Sequence, residues 1–433
     1  MRILKKIAII ILTLYTSIVI LVYFAEGWKS ASSPTKIIDP FTAIDSIRGY
    51  AKETIVLTPT LEQPFKSANF VPPMGSYGLE VRPNNQSSVI EAGNVLPINI
   101  EKHGSKFSVF YIDPIRQNNK YLFKFDDVNI DVSKDLDTHD QVIHLDGSFT
   151  FLEYVPNYKN KSLDLQLKRI TGQGQVLWVW NSNQHISKEH VVMEPVHRAT
   201  EIKPLKKKLQ DIRRSYSNSL LELFGSEIFQ FLTDIYIPLP NRRIQLLDNQ
   251  LDIVDHIHAN SIQYLNNDKY ILVSARHLNA LFIIEVQTGE IIWSLGGPYS
   301  TFTKNRVIGD PRGGFSHQHD ARVFKNKLYL FDNANMQLGL PSRAVVYTFD
   351  MKNPSNCKFL FEYIEPYMRR RLSMASVQPL DDDRILIGWG GVPLGPDRQK
   401  TSVGASIVNM KNNTTEWQLD FKPGWTSYRA RGY

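Results

Sequence analysis

Four stretches of this chain share one layout, and that recurrence limits the available folds more than any other feature. Each opens on a polar motif, passes through a turn into a short apolar strand and closes on an aromatic strand. The first runs from His139-Asp140 through Leu145-Asp146-Gly147 and Phe149–Tyr154 to Val176-Leu177-Trp178-Val179-Trp180. The second opens at His258-Ala259-Asn260-Ser261, turns at Asn266-Asn267-Asp268, continues as Tyr270–Ser274 and closes on Ile291-Ile292-Trp293. The third starts at His319-Asp320, passes Leu328–Phe331 and ends on Phe359–Tyr363. The fourth begins near Ser376-Val377-Gln378, turns at Asp381-Asp382-Asp383, continues to Trp389 and closes at Thr415-Glu416-Trp417. Strands that alternate, or run apolar over a few residues, suit half-buried or buried β structure. A repeated four-strand unit with an aromatic closing strand is the pattern of propeller blades. Closing the ring removes exposed sheet edges, so a long β region stays soluble. A large β-sandwich or an open solenoid is the competing arrangement, and the length of the units favours the propeller.

Two regions depart from the pattern. Glu26 to about Pro72 is polar, Ser- and Pro-containing and weakly periodic, so residues 26–75 read as a stalk before a β-rich body at 76–433. Between the first and second units, Pro204 to Ile235 carries Leu205, Leu209, Ile212, Tyr216, Leu220, Leu223, Ile228, Phe231 and Leu232 at three- and four-residue steps. That spacing predicts an amphipathic helix or helix pair, broken near Gly225, as an insertion over about 200–237.

The formal net charge of +7 resembles a nucleic-acid signal until it is located. Arg2, Lys5 and Lys6 precede the first acid, Glu26, and the stretch 201–214 contributes a net four charges, so these two places account for the whole excess. The remaining chain is balanced and offers no footprint for DNA or RNA. Ile7 to Ala25 carries no charge and is about the length of a membrane-crossing helix. Residues 1–25 therefore read as a cytoplasmic flank and membrane anchor, with the body on the extracytoplasmic side. A cleaved signal peptide is the competing reading, with Ser30-Ala31-Ser32 as its site, but the apolar run is long for one. The single cysteine, Cys357, excludes an internal disulfide and a cysteine zinc cage.

His139, His258 and His319 each begin a unit, and equivalent positions in successive blades converge on one end of the channel. Arg276 follows the second strand of its unit and can reach the same opening. Imidazole serves as nucleophile, general base or metal ligand. Arginine offers a fixed fork of donors for sulfate or phosphate oxygens. Without clustered carboxylates, the set favours transfer of an anionic group over hydrolysis by paired acids. A three-histidine metal site is the alternative, although these histidines lack the local spacing of such sites. His144, His185, His190, His197, His256 and His317 read as ordinary loop or strand-end residues, with His256 and His317 near enough in sequence to support the trio.

At these residues the chain resembles the arylsulfotransferase family. The likeness is carried by Asp255-His256-Ile257-His258-Ala259-Asn260-Ser261, Val273-Ser274-Ala275-Arg276-His277-Leu278, Phe315-Ser316-His317-Gln318-His319-Asp320-Ala321-Arg322, Leu330-Phe331-Asp332-Asn333 and Ser427-Tyr428-Arg429-Ala430. Asp320 departs from the best-known bacterial branch of the family, and the chain looks closer to the broader branch with Gln-His-Asp-Ala-Arg. The resemblance implies an all-β, six-bladed β-propeller with a site at the channel mouth. It implies that His319 is transiently sulfated while His258, Arg276 and His139 hold and polarise the sulfuryl group. It further places Arg429, Asn260, His317 and Asn333 in contact with substrate. The partners implied are an aryl sulfate donor and a phenolic acceptor, with no cofactor and no metal. Membrane attachment through residues 7–25 accompanies this reading, and it leaves room for a homo-oligomer. A non-catalytic propeller that binds a sulfated or phosphorylated ligand, or a partner protein, is the competing function.

Overall fold

The computed structural model describes residues 40–61, 77–91, 96–112, 121–125, 128–130, 136–190, 255–337, 339–391 and 400–433. The apolar run at 7–25 and the insertion at about 200–237 lie outside them. Among the described residues the helices are short 3-10 turns, and no helix is long and apolar enough to cross a membrane.

The described strands pair antiparallel into six sheets, which build a β-propeller. Four of these sheets are formed by four consecutive strands each, spanning Leu96–Ile130, Leu136–Asn181, Ala259–Gly296 and His319–Tyr363. The other two mix the ends of the chain. The strands from Ser376 to Phe421 take Ile44–Gly49 as a fifth, outermost member, and Trp425–Gly432 pairs with Ile55–Leu61 to lead the last sheet.

The first strands of neighbouring sheets touch in turn around a closed circuit. Leu96–His103 meets Leu136–Ile143, which meets Ala259–Leu265, then His319–Phe324, then Ser376–Pro379, then Trp425–Gly432, which returns to Leu96–His103. These strands line the centre, which explains why every unit motif read from the sequence lies near one place. Apolar faces fill the space between sheets. Leu152, Leu165, Leu167 and Trp180 pack with Ile262, Ile271, Val273, Phe282 and Ile284 of the next sheet. The closing-strand tryptophans add a polar stitch. Trp178 and Trp180 donate to the carbonyls of Val286 and Gly289 at 3.1 and 2.8 Å, and Trp293 donates to that of Asp350 at 2.9 Å. A buried indole needs such an acceptor, so each tryptophan fixes the angle between two sheets as well as filling space.

The stalk expected over 26–75 is corrected over 40–61, and the rest of that span lies outside the described residues. Ile44–Gly49 and Ile55–Leu61 are sheet strands, in register with Trp417–Phe421 and Trp425–Gly432. Ile55, Val56 and Leu57 are fully buried. Their burial comes from partners some 370 positions away, which local composition does not reveal.

Candidate active site

The connections that enter the innermost strands, together with the loops after each sheet's second strand, gather on one end of the ring. Two histidines there carry the same local device. His139 has its backbone N–H and its Nδ1 on Oδ1 of Asp137, at 2.8 and 2.5 Å. His258, held at φ 47°, has its N–H on Oδ1 of Asp255 at 2.9 Å and its Nδ1 on Oδ2 at 2.5 Å. In each pair a carboxylate fixes the ring with Nδ1 occupied, so Nε2 is the nitrogen left for chemistry. The rings lie edge to face, 5.0 Å between centroids, and Tyr428 stands edge-on to His139 at 5.8 Å. Burial raises the Asp255 carboxyl, but the positive and hydrogen-bonding character of His258 outweighs that and holds it well below the usual range.

Arg276 begins the turn after the second strand of its sheet, and its side chain is almost fully buried. Nη1 meets Nε2 of His277 at 2.8 Å, and Nη2 donates to the carbonyl of Leu372 at 3.1 Å. His319 opens its strand and is 2% exposed. Its Nδ1 lies 2.7 Å from Oδ1 of Asn333, while Nδ2 of Asn333 donates to the carbonyl of Arg371 at 2.9 Å. The second bond sets which way the amide faces, and the amide then sets the tautomer. Nδ1 of His319 carries the proton and Nε2 carries the lone pair. Burial first, then the charge of Arg276, push this imidazole well below its ordinary value, with His139 and His258 adding to the effect. His319 is therefore a neutral base at neutral pH, within the fields of Arg276, His139 and His258. The four residues singled out as catalytic come together.

The residues expected to touch substrate divide differently. Asn333 orients His319, as above. His317 is fully buried behind the site, its N–H on Oδ1 of Asn279 at 2.7 Å and its ring 5.8 Å from that of His277. Asn260 is also fully buried, and its amide ties two innermost strands through Gln318 O at 2.8 Å and Asp320 N at 3.3 Å. Arg429 is 3% exposed and donates to Oδ1 of Asp140 at 2.8 Å and to the carbonyl of Asn260 at 2.5 Å. It belongs to a central ion cluster with Asp140, Asp320, Arg322, Arg431 and Glu101, in which three cations meet three carboxylates. Burial alone would raise the Asp320 carboxyl, yet Arg322, Arg431 and Arg429 hold it well below the ordinary range. Asn260 and Arg429 are thus both bonded into the centre of the ring.

Asp137, His277 and the segment Arg371–Met374 were missed. Asp137 and Asp255 had a sequence signal, a carboxylate two residues before His139 and three before His258. Among the described residues Asp255, His258 and His277 offer ligand atoms within 4.8 Å of one another, the geometry a cation would need. Their bonding does not fit one. Nδ1 of His277 donates to the Asp255 carbonyl at 2.6 Å, its Nε2 faces a guanidinium, and both Asp255 oxygens already serve His258. This donor set therefore does not fit a cation.

Among solved structures, the chain is similar to a protein of unknown function from Bacteroides caccae (9% identity, 88% of this chain and 98% of that one, TM-score 0.45). It is similar also to a putative 6-phosphogluconolactonase from Bacteroides fragilis (8%, 88% and 98%, 0.39) and to TolB from Acinetobacter baumannii (6%, 87% and 67%, 0.40). No curated protein matches it. The family model for arylsulfotransferase (ASST) matches residues 128–429, which takes in His139, His258, Arg276 and His319, and the chain belongs to the arylsulfotransferase family.

Proposed function

We propose that this protein transfers a sulfuryl group from an aryl sulfate to a phenol through a sulfated His319. The observation that carries the reading is the fixed, neutral His319, its Nε2 lone pair set by Asn333 and its ring beside Arg276. The Nε2 lone pair attacks sulfur, the bond from sulfur to the aryl oxygen breaks, and the aryloxide leaves with that electron pair. The Nδ1 proton stays on the ring, donated to Oδ1 of Asn333, so the ring becomes cationic as it gains the anionic sulfuryl group. Arg276 stabilises the sulfuryl oxygens in the transition state. His258 and His139, each held by its aspartate, give a proton to the departing aryloxide and take one from the incoming phenol. The acceptor oxygen then displaces Nε2 from sulfur, which gives ping-pong kinetics.

The six sheets serve as six blades in this reading, and the run at 7–25 anchors the body outside the cytoplasm. The test incubates the purified full chain with a chromogenic aryl sulfate, with and without a phenol. Release of the first phenol, with one SO3 retained on His319 until acceptor is added, supports the proposal. An intact chain that turns over no donor across several aryl sulfates, yet binds them, would instead make it a binding module.

A further inference from the structure

We propose that His277 is the positioning residue for Arg276, holding the guanidinium in the one orientation that serves the sulfuryl group. The inference rests on the reading of His319 and Arg276 given above and adds a residue to it. His277 is adjacent to Arg276 in sequence, but a neighbouring side chain does not by itself orient an arginine. Three bonds produce that result here. The N–H of His277 donates to the Ile257 carbonyl at 3.0 Å, fixing the backbone of the turn. Nδ1 donates to the Asp255 carbonyl at 2.6 Å, fixing the ring. With that proton on Nδ1, Nε2 is an acceptor, and Nη1 of Arg276 donates to it at 2.8 Å. The opposite arm of the guanidinium, Nη2, is held by Leu372 at 3.1 Å. A planar cation restrained on both arms keeps its plane.

Other roles for His277 fit less well. Both ring nitrogens are engaged, so it is not a free acid or base for substrate. Burial first, and then the neighbouring His258, push its imidazole well below its ordinary value. It therefore stays neutral, as an acceptor to a guanidinium must. Its ring also packs against that of His258, 4.6 Å between centroids. Asp255 is the shared node: its carboxylate sets His258 and its carbonyl sets His277. One aspartate thus fixes, through two histidines, both the proton carrier and the anion-binding cation.

The test compares His277→Leu, which removes the acceptor, with His277→Gln, which restores one near the Nε2 position. In the full chain, His277→Leu is expected to slow sulfation of His319 about a hundredfold, the scale of a displaced catalytic group. His277→Gln should recover most of that loss. A second readout needs no turnover. Arg276 depresses protonation of His319, so NMR titration of the His319 ring should move upward in the Leu variant and stay near wild type in the Gln variant. If the Leu variant, folded by circular dichroism, keeps the wild-type His319 titration, the proposal is overturned. Equal loss in the Leu and Gln variants overturns it too, since that is the signature of a packing role alone. A wild-type chain that never forms sulfo-His319 would remove the functional reading, and the titration would still decide the role of His277.

Discussion

The backbone N–H of Met374 donates to Nε2 of His319 at 3.3 Å, so the lone pair assigned to attack sulfur is covered by a neighbouring loop. The same segment holds Asn333 through the Arg371 carbonyl and Arg276 through the Leu372 carbonyl. Met374 and Ala375 are at φ 65° and 90°, a region costly for residues with a Cβ. Gly390 lets the segment approach, since a Cβ there would lie 2.4 Å from Ala375 N. A sulfur bonded to Nε2 cannot share its place with Met374 N. The segment must therefore withdraw when His319 is sulfated. Hydrogen exchange at Ser373–Ala375 is expected to speed up in the sulfated chain relative to the free one. Unchanged protection, with His319 shown to be modified, would contradict this.

Asn333 sets the His319 tautomer without touching substrate. Asn333→Leu leaves Nδ1 without its acceptor and frees the proton to sit on either nitrogen. Loss of a tautomer-fixing partner costs on the order of ten-thousandfold in the best-studied case, a buried and charged one. For this neutral amide a loss of about a hundredfold or more in the first half-reaction is expected, measured as the burst of phenol under single-turnover conditions. A burst rate within threefold of wild type would show that Asn333 only packs.

Much of the site was legible because the histidines open their units. His258 and His319 stand beside or at the start of innermost strands, His139 lies within the first half of one, and Arg276 directly follows a second strand, so topology brings them toward one end. What was not legible depends on partners distant in sequence. The Pro- and Thr-containing segment Ile55–Leu61 looks like linker until Trp425–Gly432 pairs with it. Arg429 looks like an anion ligand until Asp140 and Asp320, from two other sheets, neutralise it. His277 sits in a quoted motif, but its task depends on the Asp255 carbonyl 22 positions away.

The depressed imidazoles make a prediction about acid. Burial, then Arg276, lower His319 below its ordinary 6.5, and burial, then His258, lower His277. Such a group binds fewer protons in the folded chain than in the unfolded one. Its cost is absent above the unfolded value and grows as pH falls below it, toward the folded value. Unfolding free energy from urea titration should therefore decline below about pH 6.5. His319→Gln, which does not titrate, should reduce that slope by about one proton while His277 keeps contributing. An identical slope in the two chains would mean that His319 is protonated in the folded state.

The central ion cluster predicts what Arg429 does. Arg429 and Asp140 are both buried, 2.8 Å apart, and Asp320 takes a second contact from Arg429 at 3.5 Å. Removing one member of a buried, balanced set leaves an opposite charge without compensation, which costs about 3–5 kcal/mol. Arg429→Met should therefore lower the unfolding free energy by about that amount. The double replacement Arg429→Met with Asp140→Leu should recover part of the loss, because the orphaned carboxylate goes with its partner. Donor affinity is the separating measurement. A residue that contacts the sulfate ester would raise the KM for donor at temperatures where the variant is fully folded. A residue that closes the ring would leave it unchanged, and the contacts of Arg429 with Asp140, Asp320 and the Asn260 carbonyl predict that outcome.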